Sequence, residues 1–148
     1  MRLLTRLGRE EAEKMGLKVV ADLAVKKILY PHAGLISSRK MLEEKRDAMM
    51  RFGRATVEAI HYFKTNKPQT IAILKKYAKT DVTTLDTAHT YLKGAIPDLP
   101  YPTLEGMKTI LAEMGRTRSE VLKTDPASMV DASIVKAIDD EGFLKKLK

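Results

Sequence analysis

Cysteine is missing from this chain of 148 residues, and so is tryptophan. Without a thiol there is no disulfide, no Cys-ligated zinc or iron and no thiolate nucleophile. Aromatic residues make up only 5% of the chain, a thin supply for stacking bases. The eight glycines are scattered. None falls in a G-x-S-x-G, G-x-x-x-x-G-K-[ST] or G-x-G-x-x-G pattern, so a nucleophile elbow and a glycine-rich phosphate cradle are both excluded. No apolar run approaches the roughly 18 residues that a transmembrane helix needs. There is no internal repeat and no low-complexity segment. A secretory signal requires a positive end followed by about 7–15 apolar residues. The opening Met1-Arg2-Leu3-Leu4-Thr5-Arg6 breaks too early, and Glu10 and Glu11 follow. These residues do not read as a signal peptide, and the expectation is either a cytoplasmic protein or a chain that is not the whole gene product.

Lysine and arginine number 27 against 19 acids, which leaves a formal charge of +8. Apolar residues at 44% and charged ones at 31% fit a soluble globular protein with enough chain for one sizeable core. The basic pairs Lys26-Lys27, Lys75-Lys76 and Lys145-Lys146 are separated by acids and form no stripe. Nucleic acid is therefore not an expected partner, whereas attraction for small anions is.

Periodicity is mostly helical. A short helix over residues 9–15 should stop at Gly16, because glycine enters the left-handed conformation without a steric penalty. Residues 17–23 and 35–38 have the look of short strands, β-branched and partly alternating in the first case. Between them Tyr30-Pro31-His32-Ala33-Gly34 reads as a turn or extended crossing. Ser38 is an N-cap candidate for a helix beginning at Arg39. Met49, Phe52, Thr56, Ala59, Ile60 and Phe63 form one apolar stripe. Asn66-Lys67-Pro68-Gln69 resembles a capping box for a helix that presents Ile71, Leu74, Tyr77 and Ala78. Thr83 or Thr84 should cap the next helix, burying Leu85, Ala88, Leu92, Ala95 and Ile96 before Pro97 ends it. Thr103 should cap a further helix with Leu104, Met107, Ile110, Leu111 and Met114, stopped by Gly115. Residues 116–124 read as a polar loop. Asp125-Pro126 and Asp131 signal helix starts, Ile134, Val135 and Ile138 form a last stripe, and Gly142 is its stop. Two short strands cannot stand alone, so the pattern calls for more sheet or a helical cover.

Chemistry-bearing residues are sparse. His32, His61 and His89 share no helix turn and no H-E-x-x-H pattern, so no metal site is expected. His61 and His89 read as half-buried residues on helix flanks. His32 lies in the Pro/Gly crossing, where ligand-binding residues often sit. Glu43/Glu44 and Asp139/Asp140/Glu141 are sequence neighbours on helix surfaces, whereas acid–base pairs must converge across a cleft.

Several segments carry a family likeness in order along the chain. They are Ala12-Glu13-Lys14-Met15-Gly16-Leu17-Lys18-Val19-Val20-Ala21-Asp22-Leu23 and Tyr30-Pro31-His32-Ala33-Gly34-Leu35-Ile36-Ser37-Ser38-Arg39. Then come Arg51-Phe52 with Glu58-Ala59-Ile60-His61-Tyr62-Phe63-Lys64-Thr65-Asn66-Lys67, and Ile71-Ala72-Ile73-Leu74-Lys75-Lys76-Tyr77. Tyr101-Pro102-Thr103-Leu104-Glu105-Gly106 and Val130-Asp131-Ala132-Ser133 complete the set. Together they resemble the C-terminal half of ABC-transporter substrate-binding proteins of the nitrate/sulfonate/taurine type, a superfamily shared with the thiamine-pyrimidine synthases.

That resemblance implies the C-terminal part of an α/β type II periplasmic-binding fold: mainly α, with two short β-strands near the N-terminus. Residues 1–38 would be the lobe-crossing segment and 39–148 a helical region, one compact unit cut from a two-lobe protein. The implied function is the solute-binding component of an ABC importer for a small anionic solute, without catalysis or cofactor. Its partners would be that solute and a membrane permease, its location the periplasm or cell surface. Tyr30 and His32 would stand nearest the cleft as the ligand-binding candidates. The family's N-terminal lobe lies outside this sequence, so weak solute binding is expected, with uncovered apolar faces driving homo-oligomerisation. Where the family has an Asn-Pro break the chain reads Lys45-Arg46-Asp47-Ala48, and the flanking helices are expected to fuse. The lack of cysteine speaks against the pyrimidine-synthase branch. The competing reading is a free-standing helical interaction or nucleic-acid-binding protein.

Overall fold

A computed structural model describes residues 12–13, 15–21, 31, 33–78 and 80–147. Of these, 69% are helical and none is in a strand, which overturns the expected α/β architecture with its two N-terminal strands. Residues 17–21 and 35–38 run without regular structure. Their apolar side chains face outward, with Val20 87% and Ile36 99% exposed. The physical reason is that β-propensity expresses packing on a pleated surface. With no strand among the described residues to pair with, Val19, Val20 and Ile36 gain nothing from extension into a ladder.

The helices in order are α1 (Arg39–Glu44), α2 (Arg46–Thr65), α3 (Lys67–Tyr77), α4 (Val82–Ala95), α5 (Leu104–Gly115), α6 (Ser133–Asp140) and α7 (Phe143–Lys146), with 3-10 turns at Ser119–Lys123 and Pro126–Met129. They fall into two compact units. The first takes Met1–Ile28 with Tyr62–Ile96, and the second Leu29–His61 with Pro97–Lys148.

In the first unit, the turn after Ala12 and Glu13 closes as expected at Gly16, whose φ is +82°. Leu17 N–H donates to Ala12 O and Gly16 N–H to Glu13 O, both at 3.0 Å, the double closure that a left-handed glycine permits. Helices α3 and α4 pack together. The cap of α4 is Asp81, not a threonine: its Oδ1 accepts from Thr84 N at 2.9 Å and its Oδ2 from Thr84 Oγ1 at 2.7 Å. A carboxylate two positions before Thr83 starts the helix earlier, bonds the free N–H of Thr84 and carries charge that suits a helix start. Asn66 makes no cap hydrogen bond. Its Nδ2 instead donates to Thr65 Oγ1 at 2.9 Å.

In the second unit, Ser38 and Thr103 cap as the sequence implies, accepting from Met41 N at 3.1 Å and from Gly106 N at 3.2 Å. Helices α1 and α2 do not fuse. Lys45 departs from helical geometry at φ −124°, ψ 33°, yet Lys45 N to Met41 O and Met49 N to Lys45 O keep helical bonding across it at 3.0 and 3.1 Å. The buried face of α2 contains Gly53 and Val57, one position round from the expected stripe, and Phe52 is 54% exposed. Helix α6 lies on that glycine: a Cβ at Gly53 would stand 2.6 Å from Ile138 Cδ1 and 3.0 Å from Ile134 Cγ2. Ile138 is fully buried there. The segment expected as a loop after α5 is instead the 3-10 turn Ser119–Lys123, and Leu122 fills the space over Gly115. Gly115 is the last residue of α5 without a left-handed backbone, whereas Gly142 follows α6 with φ +63°.

Candidate functional site

Tyr30 and His32, the two ligand-binding candidates, lie outside the described residues. The proline that joins them is described, and it is half-buried. Its ring sits against the first turn of α5. A Cβ on Gly106 would come 2.7 Å from Pro31 Cγ and 2.8 Å from Cδ, so ring carbons occupy the place a side chain would take. Gly106 N–H meanwhile donates to Thr103 Oγ1, so the cap of α5 and the seat of Pro31 are one local structure. Two segments far apart in sequence thus meet at this point.

The second polar arrangement is in the first unit. Phe63 lies in the last turn of α2, where carbonyl groups run out of helical donors. His89 of α4 supplies one, with Nε2 2.7 Å from Phe63 O. A carbonyl oxygen can only accept, so Nε2 carries the proton. The two rings also stack, with centroids 4.6 Å apart and a tilt of 34°. His89 is 1% exposed, against the half-buried position expected for it, while His61 is half-buried as expected. His89 Nδ1 and Thr70 Oγ1 are buried atoms without a hydrogen-bond partner among the described residues. Outside this corner Lys67 Nζ reaches Asp86 Oδ1 at 2.7 Å and Thr90 Oγ1 at 3.2 Å, tying the start of α3 to α4.

A third arrangement surrounds the start of α6. Asp131 Oδ1 accepts from Ser133 N at 2.7 Å. The bonds from Ser133 hold its carboxyl below the usual range, with smaller help from the Arg46 and Arg39 charges. Arg39 donates to Ser128 O at 2.7 Å and Arg46 to Ser133 Oγ at 3.5 Å. Nearby on the same unit Arg54 grips Glu141, with Nη2 2.7 Å from Oε1 and Nε 3.0 Å from Oε2. That bond lowers the Glu141 carboxyl below its ordinary value. Tyr101 donates to Asp139 Oδ2 at 2.8 Å, which pushes its phenol up. Each of these charged groups has a hydrogen-bond partner within the unit, and all but the half-buried Arg54 are exposed.

The opening beside the α1–α2 joint is lined by Glu43, Glu44, Lys45, Arg46, Asp47, Ala48 and Arg51. Every one of them is exposed and acids balance bases, so it offers neither an apolar wall nor a surplus charge to a ligand. Among the described residues no group of three or more histidines and carboxylates is placed to hold a metal ion. No described helix is long and apolar enough to cross a membrane. No family model, curated protein or solved structure matches the chain.

Sequence reasoning missed two of these residues. His89 was hidden because its i−4 neighbour Leu85 and its flanking threonines read as a plain helix flank. Gly106 was visible in principle: a glycine in the first turn of a helix costs roughly 1 kcal/mol against alanine, and such a residue usually has a packing reason.

Proposed function

We propose that the chain is part of the solute-binding component of an ABC importer, with a small anionic organic or inorganic solute as its cargo and no chemistry of its own. The ordered motifs support this reading, and one structural observation carries it furthest. The helices leave large apolar side chains uncovered, including Phe52, Ile73, Tyr77 and Leu104, while the buried apolar set among the described residues is small. On this reading those side chains are where further polypeptide of the binding protein would pack. The basic balance of the chain favours anions, and the phenol of Tyr30 and imidazole of His32 are donors suited to sulfonate or nitrate oxygens. On this reading the protein works in the periplasm or on the cell surface with a membrane permease, and uncovered helix faces pair copies of the isolated chain.

The test is uptake. Cells deleted for the gene should lose transport of at least one of taurine, ethanesulfonate and nitrate, and regain it when the gene is restored at its own locus. Unchanged transport of all three, together with salt-sensitive binding of the purified chain to DNA or RNA, would favour a nucleic-acid-binding protein instead.

A further inference from the structure

Helix α2 is apolar on two opposite sides. Gly53 and Val57 are its buried residues, and Ile138 of α6 lies over Gly53. At roughly 100° per residue, the far side of the helix carries Ala48, Phe52, Ala55 and Ala59. All four are exposed, and Phe52 is 54% exposed. They recur at steps of four, three and four residues, the spacing that keeps a stripe turned toward a second helix. The outer face of a surface helix is ordinarily polar. Here it presents a phenylalanine between alanines.

One edge of this face carries Arg51 and Glu58, both exposed and two helical turns apart. Neither has an ion-pair partner among the described residues, whereas Arg54 nearby is taken up by Glu141. The edge is complementary to its own reverse. When two α2 helices lie antiparallel about a two-fold axis, Arg51 of each copy faces the partner's Glu58, and the pair occurs twice. The same register sets Phe52 against the partner's Ala55, a large side chain over a small one, and Ala48 against the partner's Ala59. A parallel pair would instead set each charge against the edge formed by Met49 and Thr56, which carries no charge. A foreign partner would need the same charge order on its own helix, whereas a second copy brings it by symmetry.

We propose that a second copy of this chain docks on the outer face of α2, helix against helix and antiparallel, with Phe52 as the anchor and two Arg51–Glu58 pairs fixing the direction. This gives the self-pairing of the isolated chain a face and an orientation. It does not rest on the solute reading. Further polypeptide of a binding protein would compete for the same face, so the two are tested apart, one by uptake and the other by sedimentation of this chain.

Sedimentation equilibrium of the full chain should show a monomer–dimer equilibrium. Phe52→Glu should raise the dimer dissociation constant by at least about tenfold, with helicity unchanged by circular dichroism because the side chain lies outside the buried set. Arg51→Glu and Glu58→Arg leave the apolar face intact, which covers the case in which Phe52→Glu fails to fold. Each should raise the constant by about fivefold. Mixed in equal amounts, these two charge variants should form a heterodimer tighter than either homodimer, because opposite charges then meet at both pairs. A monomer at every concentration, or a dimer indifferent to Phe52→Glu and to both charge variants, would overturn the face. A mixture no tighter than its components would overturn the antiparallel register.

Discussion

The two units join their helices by different physics. In the first, a buried imidazole closes the end of α2: His89 donates to the orphan carbonyl of Phe63 and stacks on its ring. In the second, closeness does the same work without a polar group. Gly53 of α2 lets Ile138 and Ile134 of α6 approach its backbone, and polar residues are confined to caps and exposed pairs. A hydrogen bond to a helix end is directional and fails when its donor is lost. A glycine notch is indifferent to direction but intolerant of volume.

Truncation should separate them most sharply. Ile138→Ala removes a side chain with no exposure and should cost about 3 kcal/mol in a denaturant titration, within the range for deleting a large aliphatic core group. A loss below about 1 kcal/mol would mean that the notch carries little of the second unit. Next comes His89→Leu, which keeps bulk but strands the Phe63 carbonyl. A loss of about 2 kcal/mol is expected, with His89→Gln recovering part of it by restoring an N–H donor. Equal losses in both variants would show that stacking, not the hydrogen bond, holds the corner. Gly53→Ala should then cost about 1–2 kcal/mol by overpacking, although alanine is the better helix former; a gain in melting temperature would show that α6 yields. The smallest effect is titration. Asp131 and Glu141 are held below their ordinary values by Ser133 and Arg54, so each binds its proton more weakly folded than unfolded. Their contribution is complete above the ordinary carboxylate range and is lost as pH falls through the lowered folded values. Denaturant titrations at pH 6 and at pH 3 should therefore show a lower stability at pH 6 but a smaller loss between the two pH values in Glu141→Gln than in the parent chain, and high salt should blunt the Arg54–Glu141 part.

Much of the helical order was legible because capping is local chemistry. Ser38 and Thr103 cap where a hydroxyl precedes a periodic run, and Gly16 and Gly142 stop helices where only a left-handed residue fits. Asn66 makes no cap bond because its backbone (φ −120°, ψ 63°) is not in the extended geometry of a cap and its Nδ2 donates back to Thr65, and Asp81 starts α4 before the threonines by accepting from Thr84 N. The phase of α2 was misjudged because glycine adds nothing to an apolar count, yet Gly53 lies in the middle of the buried face. The strands were misjudged for the opposite reason: Val19, Val20 and Ile36 score highly one by one, but a strand exists only by pairing, and pairing is not written in a short segment. Of the site, Tyr30 and His32 were read from their Pro/Gly setting and lie outside the described residues. What the sequence could not disclose was that Pro31 rests on Gly106, since nothing local ties one motif to the other.

The notch at Gly53 has a consequence for descent. A carbon added at position 53 meets Ile138 and Ile134, so the three positions should change as a set. Sister sequences with alanine or serine at 53 should carry valine or alanine at 138, and a lineage that enlarges one without shrinking the other should be hard to find.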